Sequence, residues 1–149
     1  MTGQIWTADH FTLQCGVTLP QVQVVYQTYG TLAGDRANVI LYPTSYGAQH
    51  SDIDWLIGPD GILDPTRRFV VIPNMLGNGL STSPSNANGA GLAEQGSTFT
   101  HWDNVTAQER LLREVFGIEE LALVYGWSMG AQQAYHWGAL YRDRVHRIA

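Results

Sequence analysis

One serine in this chain stands where its hydroxyl could serve as a nucleophile. Ser128 lies between Gly126 and Gly130 in the run Gly126-Trp127-Ser128-Met129-Gly130, a G-x-S-x-G pattern. In such an elbow the serine occupies the tip of a sharp strand-to-helix turn. Glycines two residues to either side remove the β-carbons that would collide as the chain reverses. Three fixed residues are a weak signal alone, and the flanks strengthen it. Leu121 to Tyr125 is a short apolar run with β-branched and aromatic members, and Met129 to Tyr141 is rich in helix formers with apolar residues at helical spacing. The pattern thus predicts strand, exposed serine and helix in that order.

A serine hydroxyl is a poor nucleophile at neutral pH and needs a base, usually a histidine oriented by a carboxylate. In elbow folds the order along the chain is serine, then acid, then histidine. After Ser128 the chain offers Asp143 as its single acid and His136 and His146 as its histidines. His136 falls two turns along the helix that begins at Met129, about 12 Å away along the axis. His146 is expected in or beside the next strand. Neither suits the role, and His10, His50 and His101 precede the serine. A triad Asp and His are therefore not found. The oxyanion donors are better supplied, by the backbone N–H of Met129 at the helix start and one N–H from the Pro43–Ser45 turn. Proline has no N–H, so Thr44 ranks first and Ser45 second.

The elements that must hold these groups follow from the pattern. Phe11 to Leu19 and Val22 to Tyr29 read as an antiparallel hairpin turning at Leu19 and Pro20, at one edge of a sheet. Val39 to Tyr42 and Phe69 to Ile72 are continuous apolar runs, as strands buried on both faces are. Between them Gln49 to Ile57 reads as a short helix, with His50 exposed in its first turn. Trp102 to Phe116 is a helix capped by Thr100 with Asp103 and stopped by Gly117, with Val105, Leu112, Val115 and Phe116 on one face. Met75 to Phe99, crowded with Gly, Ser and Asn, is a long loop of functional or mobile character. Val145 to Ala149 reads as the start of a further strand. Strands alternating with helices predict one α/β domain over residues 1–149, with no internal repeat.

Composition narrows the partners. With 149 residues, 44% hydrophobic and 14% charged, the chain can bury a core. A net charge of −5 with eight Lys plus Arg argues against nucleic acid or a polybasic membrane contact. There is no G-x-G-x-x-G, Walker, C-x-x-C or H-E-x-x-H pattern, so neither a nucleotide nor a metal is expected. The single cysteine, Cys15, and an N-terminus without a basic and apolar leader point to a reducing, cytoplasmic setting. The Asn104-Val105-Thr106 sequon then carries little meaning.

From about Val24 onward the chain resembles the α/β-hydrolase superfamily, specifically the homoserine O-acetyltransferase family. The resemblance rests on FVVIPNMLGNGLSTSPSN at Phe69 to Asn86, on the T-x-x-D-x-V-x-A-Q helix start at Thr100 to Gln108, on Ser128-Met129-Gly130, and on Asp143-Arg144-Val145. It implies an α/β-hydrolase fold, a mostly parallel sheet with an N-terminal antiparallel hairpin and flanking helices. It also implies acyl transfer in methionine biosynthesis: Ser128 takes an acetyl group from acetyl-CoA, which the hydroxyl of homoserine then accepts. Acetyl-CoA or another acyl donor is a co-substrate, and no bound cofactor is implied. Family members have glycines where Trp127 and Ala131 stand, GSTGP where Leu80 to Pro84 stand, and arginine in place of Trp102. These departures weigh against homoserine and keep a related acyltransferase or ester hydrolase open. Members are also more than twice as long, so this chain is expected to stop before the last strands, the lid and the triad Asp and His. Alone it should be inactive, with apolar surface that favours poor solubility or association between copies. A naturally short, noncatalytic domain acting by association is the competing expectation.

Overall fold

The computed structural model describes residues 3–86, 92 and 98–149. Five strands form one sheet: β1 (Gln4–Thr12), β2 (Thr18–Tyr29), β3 (Val39–Leu41), β4 (Phe69–Pro73) and β5 (Leu123–Val124), in the spatial order β1-β2-β4-β3-β5. The sheet is mixed. It is antiparallel from β1 through β2 to β4, and parallel from β4 through β3 to β5. Parallel bridges Leu121 to Val145 and Val124 to Ile148 lay the C-terminal residues beside β5, in the place expected of a further strand.

The hairpin turns earlier than its sequence suggests. The reversal lies at Leu13 to Val17, where Gly16 adopts a φ of 90° and Leu13 N–H donates to Val17 O, while Leu19 and Pro20 belong to β2. Pro20 has no N–H to give to the ladder, and its cross-strand position falls at His10, whose φ of 52° marks a local break in β1. Beyond Tyr26, β2 pairs with β4. Before it, the same edge of β2 is closed by the loop after β4. Asn74 N–H donates to Val25 O, Val25 N–H to Ser81 Oγ, Gln23 N–H to Thr82 Oγ1 and Thr82 N–H to Gln23 O. The described start of the long loop is thus tied to the sheet. Residues 87–91 and 93–97 of that loop lie outside the described residues.

Two helices, α1 (His101–Phe116) and α2 (Met129–Leu140), pack against one face of the sheet. α1 starts where expected. Thr100 Oγ1 accepts from Asp103 N–H, Asp103 Oδ2 accepts from Thr100 N–H, and Gly117 closes the helix. Its buried stripe is Val105, Ala107, Gln108, Leu111 and Leu112. Val115, expected inside, is exposed. The other face carries Ile40, Tyr42, Val70 and Ile72, met by Ile53 and Leu63. Ile53 belongs to a 3-10 helix over His50–Leu56, tighter than the helix expected there.

Candidate active site

β5, the elbow and α2 follow one another as the sequence predicts. Ser128 has φ 52° and ψ −121°, a conformation that costs a non-glycine residue about 1–3 kcal/mol and persists only where its surroundings enforce it. Those surroundings are explicit. A β-carbon on Gly126 would stand 2.3 Å from the carbonyl carbon and oxygen of Gly130, and one on Gly130 would stand 2.6 Å from Pro43 O. Both glycines are therefore required by close approach of backbone. Trp127 O accepts from Gly130 N–H at 2.8 Å and from Ser45 Oγ, which fastens the elbow to the turn after β3. Ser128 O accepts from Ala131 and Gln132 N–H and so starts the helix.

An ordinary N-cap serine uses its hydroxyl to bind a first-turn N–H. Ser128 makes no such bond, and its side chain is exposed at the positive end of α2. The hydroxyl is free for chemistry, and a negative oxygen formed above it would be favoured there.

The Pro43–Ser45 turn abuts the elbow, and the N–H groups of its two expected donors differ in what they meet. Thr44 N–H is spent on Pro73 O at 3.2 Å, so it has none to offer a ligand. Thr44 is buried, its Oγ1 accepting Met75 N–H at 3.0 Å and its carbonyl accepting Gln133 Nε2 at 3.0 Å. Ser45 N–H and Met129 N–H meet no acceptor among the described residues. Ser45 follows a strand end, where the chain leaves the sheet, and so escapes the ladder that claims Thr44.

No histidine or carboxylate among the described residues hydrogen-bonds Ser128 Oγ. His136 lies partly buried on α2, its ring 6.4 Å from that of His101, and its Nε2 has no partner among the described residues. Burial, and then the neighbouring His101, push its pKa below the usual 6.5. His101 Nε2 meets Gln132 Oε1, and His146 Nε2 meets Glu120 Oε2, both at 3.0 Å. Asp143 is exposed in a short turn after α2. His50, expected at the surface, is only 6% exposed, with its Nδ1 2.9 Å from Asn74 Nδ2. It serves as a buried brace between the 3-10 helix and the end of β4. Asn104 of the sequon is likewise buried, its Oδ1 accepting Leu76 N–H at 2.7 Å.

Sequence reasoning missed Gln108, Gln133 and Trp137, which form a buried hydrogen-bonded chain between the helices behind the Pro43–Ser45 turn. A signal was present. Gln133 lies one turn before Trp137 on the buried stripe of α2, and Gln108 stands between Val105 and Leu112 on that of α1. A polar residue on an apolar stripe needs a buried partner.

A strained serine between two obligatory glycines, at the junction of a parallel strand and a helix, is the hallmark of one fold class. Residues 39–149 match the family model described as the alpha/beta hydrolase fold, and the chain belongs to that family. It is 41% identical over 138 residues to an ethyl acetate hydrolase of Pseudomonas veronii, covering 92% of this chain and 40% of that protein. It is 40% identical over 158 residues to a homoserine O-acetyltransferase of Thermobifida fusca, covering 95% of this chain and 41% of that protein. The structure superposes on an acetylester hydrolase from Corynebacterium glutamicum with a TM-score of 0.93 at 39% identity, over 98% of this chain and 42% of the other. The resemblance to homoserine O-acetyltransferases and the fold expected from it are borne out, and the chain spans about two fifths of these relatives' length. Among the described residues no helix is long and apolar enough to cross a membrane.

Proposed function

We propose that this chain carries the nucleophile and oxyanion donors of an ester hydrolase that moves short acyl groups through acyl-Ser128. The elbow geometry carries the reading: an exposed, strained serine whose hydroxyl caps nothing, at the start of a helix and beside a turn with an uncommitted N–H. Ser128 Oγ attacks the ester carbonyl carbon while its proton passes to a base. The carbonyl oxygen becomes an oxyanion that accepts hydrogen bonds from Met129 and Ser45 N–H. The C–O bond then breaks, the alcohol leaves with the proton, and water attacks the acyl-enzyme to release the acid and restore Ser128. The base and its carboxylate come from parts of the protein outside the described residues, for which the greater length of the relatives leaves room.

Water as acceptor fits the aromatic residues that flank Ser128 and Ser45 in the chain. Trp127 is 73% exposed beside it, and Tyr46 is 84% exposed one residue after Ser45. Two free aromatic side chains suit a small apolar ester better than a zwitterionic amino-acid alcohol, which needs charged partners. Relatives named as hydrolases at 41% and 39% identity support this choice. The homoserine O-acetyltransferase relative at 40% supports the second reading, in which acetyl-CoA is the donor and a hydroxyl compound the acceptor. The isolated chain, without a base for Ser128, is proposed to be inactive, cytoplasmic and prone to self-association.

The test is turnover of ethyl acetate and of acetyl-CoA with homoserine by the natural protein, with the intact mass followed during the first turnovers. Acetate release through a Ser128-linked acetyl group, absent in Ser128→Ala, is expected. Faster transfer to homoserine than to water would move the assignment to the second reading. Full activity in Ser128→Ala would end both.

A further inference from the structure

The buried chain behind the Pro43–Ser45 turn has a direction. Trp137 Nε1–H can only donate, and it meets Gln108 Oε1 at 2.8 Å. That fixes which end of the Gln108 amide faces which way, so its Nε2 donates to Gln133 Oε1 at 2.7 Å. The Gln133 amide is fixed in turn, and its Nε2 donates to Thr44 O at 3.0 Å. Thr44 O can only accept. A donor-only group at one end and an acceptor-only group at the other leave neither glutamine free to flip. Trp137, Gln108, Gln133 and Thr44 are all almost completely buried, so no water competes for these bonds.

The last bond matters because of what shares its peptide unit. Thr44 C=O and Ser45 N–H belong to one planar trans peptide, in which the two groups point in opposite directions. Holding Thr44 O toward α2 therefore aims Ser45 N–H away from α2, on the side of the turn not occupied by the relay. Ser45 Oγ, bonded to Trp127 O, fixes the next residue against the elbow. Gln133 also donates to Met129 O at 3.3 Å, so the same amide touches Met129, which carries one uncommitted N–H, and the Thr44–Ser45 peptide that carries the other.

We infer that the Trp137–Gln108–Gln133 relay is a positioning device that sets the direction of the Ser45 N–H, with Gln133 its acting residue. This rests on the reading of Ser45 N–H as an oxyanion donor. All three side chains are buried and open to no surface. Each acts through the Thr44–Ser45 peptide, which without the bond from Gln133 could rotate to seek another donor for its buried carbonyl.

Gln133→Met keeps the side chain's length and removes the donor. The natural protein carrying it is expected to lose kcat on p-nitrophenyl acetate by about 10- to 100-fold, a part of the full cost of losing one oxyanion donor. KM should stay within about two-fold, because the donor acts on the transition state more than on the ground state. The crystal structure of the variant should show the Thr44–Ser45 peptide turned from its present direction. Trp137→Phe, which removes one N–H at the far end, tests the same relay if Gln133→Met does not fold, with an expected kcat loss of about three- to ten-fold. A folded Gln133→Met with unchanged kcat overturns the inference. So does a loss of activity with the peptide still in its present direction. Should the wild-type protein show no Ser128-dependent hydrolysis, the functional reading falls by itself. The peptide's direction in Gln133→Met then decides the relay alone, a retained direction overturning it.

Discussion

On one face of the sheet α1 and α2 lie across Val39, Leu41, Val71 and Val124, joined by a buried hydrogen-bonded chain that reaches the turn beside Ser128. On the other face Ile40, Tyr42, Val70 and Ile72 meet a single 3-10 helix and the segment through Leu63. There Trp55 and Ile62 are exposed, and an open trough of about 860 Å³ runs past Ile40, Leu123 and Ile148. The contrast separates two tasks. The fixed amides behind the elbow lie on the α1–α2 face, and the close backbone approach at Gly130 comes from Pro43 in the turn after β3. The opposite face contributes apolar packing, including the edge-on contact of Tyr42 with Tyr125 at the strand ends that lead into the Pro43–Ser45 turn and Gly126. The polar contacts that fix the site thus lie on the α1–α2 side, while the second side supports it by apolar packing alone.

The sharpest way to break this comparison is at the serine. Ser128→Ala should reduce ester turnover by the natural protein by at least about 10³-fold with little change in melting temperature, measured by initial rates and calorimetry. Next are the glycines. Gly130→Ala places a carbon 2.6 Å from Pro43 O and should cost about 2–3 kcal/mol in urea unfolding. Gly58→Ala, on the thin face, meets nothing within 4 Å and should change stability by less than about 0.5 kcal/mol. Equal costs would erase the distinction between the faces. Trp55→Ser, at a residue 80% exposed, should also leave stability within about 0.5 kcal/mol. It should weaken self-association in sedimentation runs, whereas an unchanged oligomer would show that this face is not what drives association.

The smallest effect is expected from His136. Its folded-state pKa lies below the usual 6.5 because burial, and then His101, disfavour the charged ring. Below the unfolded value the unfolded chain binds the proton more readily. The stability this group contributes is therefore complete above about pH 6.5 and is lost as pH falls through the folded pKa. The melting temperature should fall between about pH 7.5 and about pH 5.5, and fall less in His136→Gln. An identical slope in the variant would assign the pH dependence to other groups.

The parts of this fold legible in the sequence are those written in neighbouring residues. Gly126 and Gly130 announce the elbow around Ser128 because a β-carbon at either would run into backbone. Thr100, Asp103 and Gly117 announce α1 because each satisfies a helix end locally. Leu19 and Pro20 misled because a proline resembles a turn residue, whereas the position that needs a positive φ is Gly16. Thr44 differs from Ser45 for a reason its neighbours do not show. Which N–H of the turn is uncommitted depends on Pro73, which arrives from another strand. His50 and the two glutamines were hidden in the same way, since their partners Asn74 and Thr44 come from distant segments. Polar groups are legible when their partner is near in sequence, and here the decisive partners are not.

The strand order has a consequence for the making of the protein. β3 lies between β4 and β5, and both leave the ribosome after it, β5 only once α1 has also been made. Once β4 is out, Val39, Ile40 and Leu41 can pair along one edge, but the edge that β5 will take stays open until α1 and β5 follow, while the β1–β2 hairpin can already close on itself. Nascent chains stalled between β4 and β5 should accordingly present this segment to chaperones and proteases, and chains stalled beyond α2 should not.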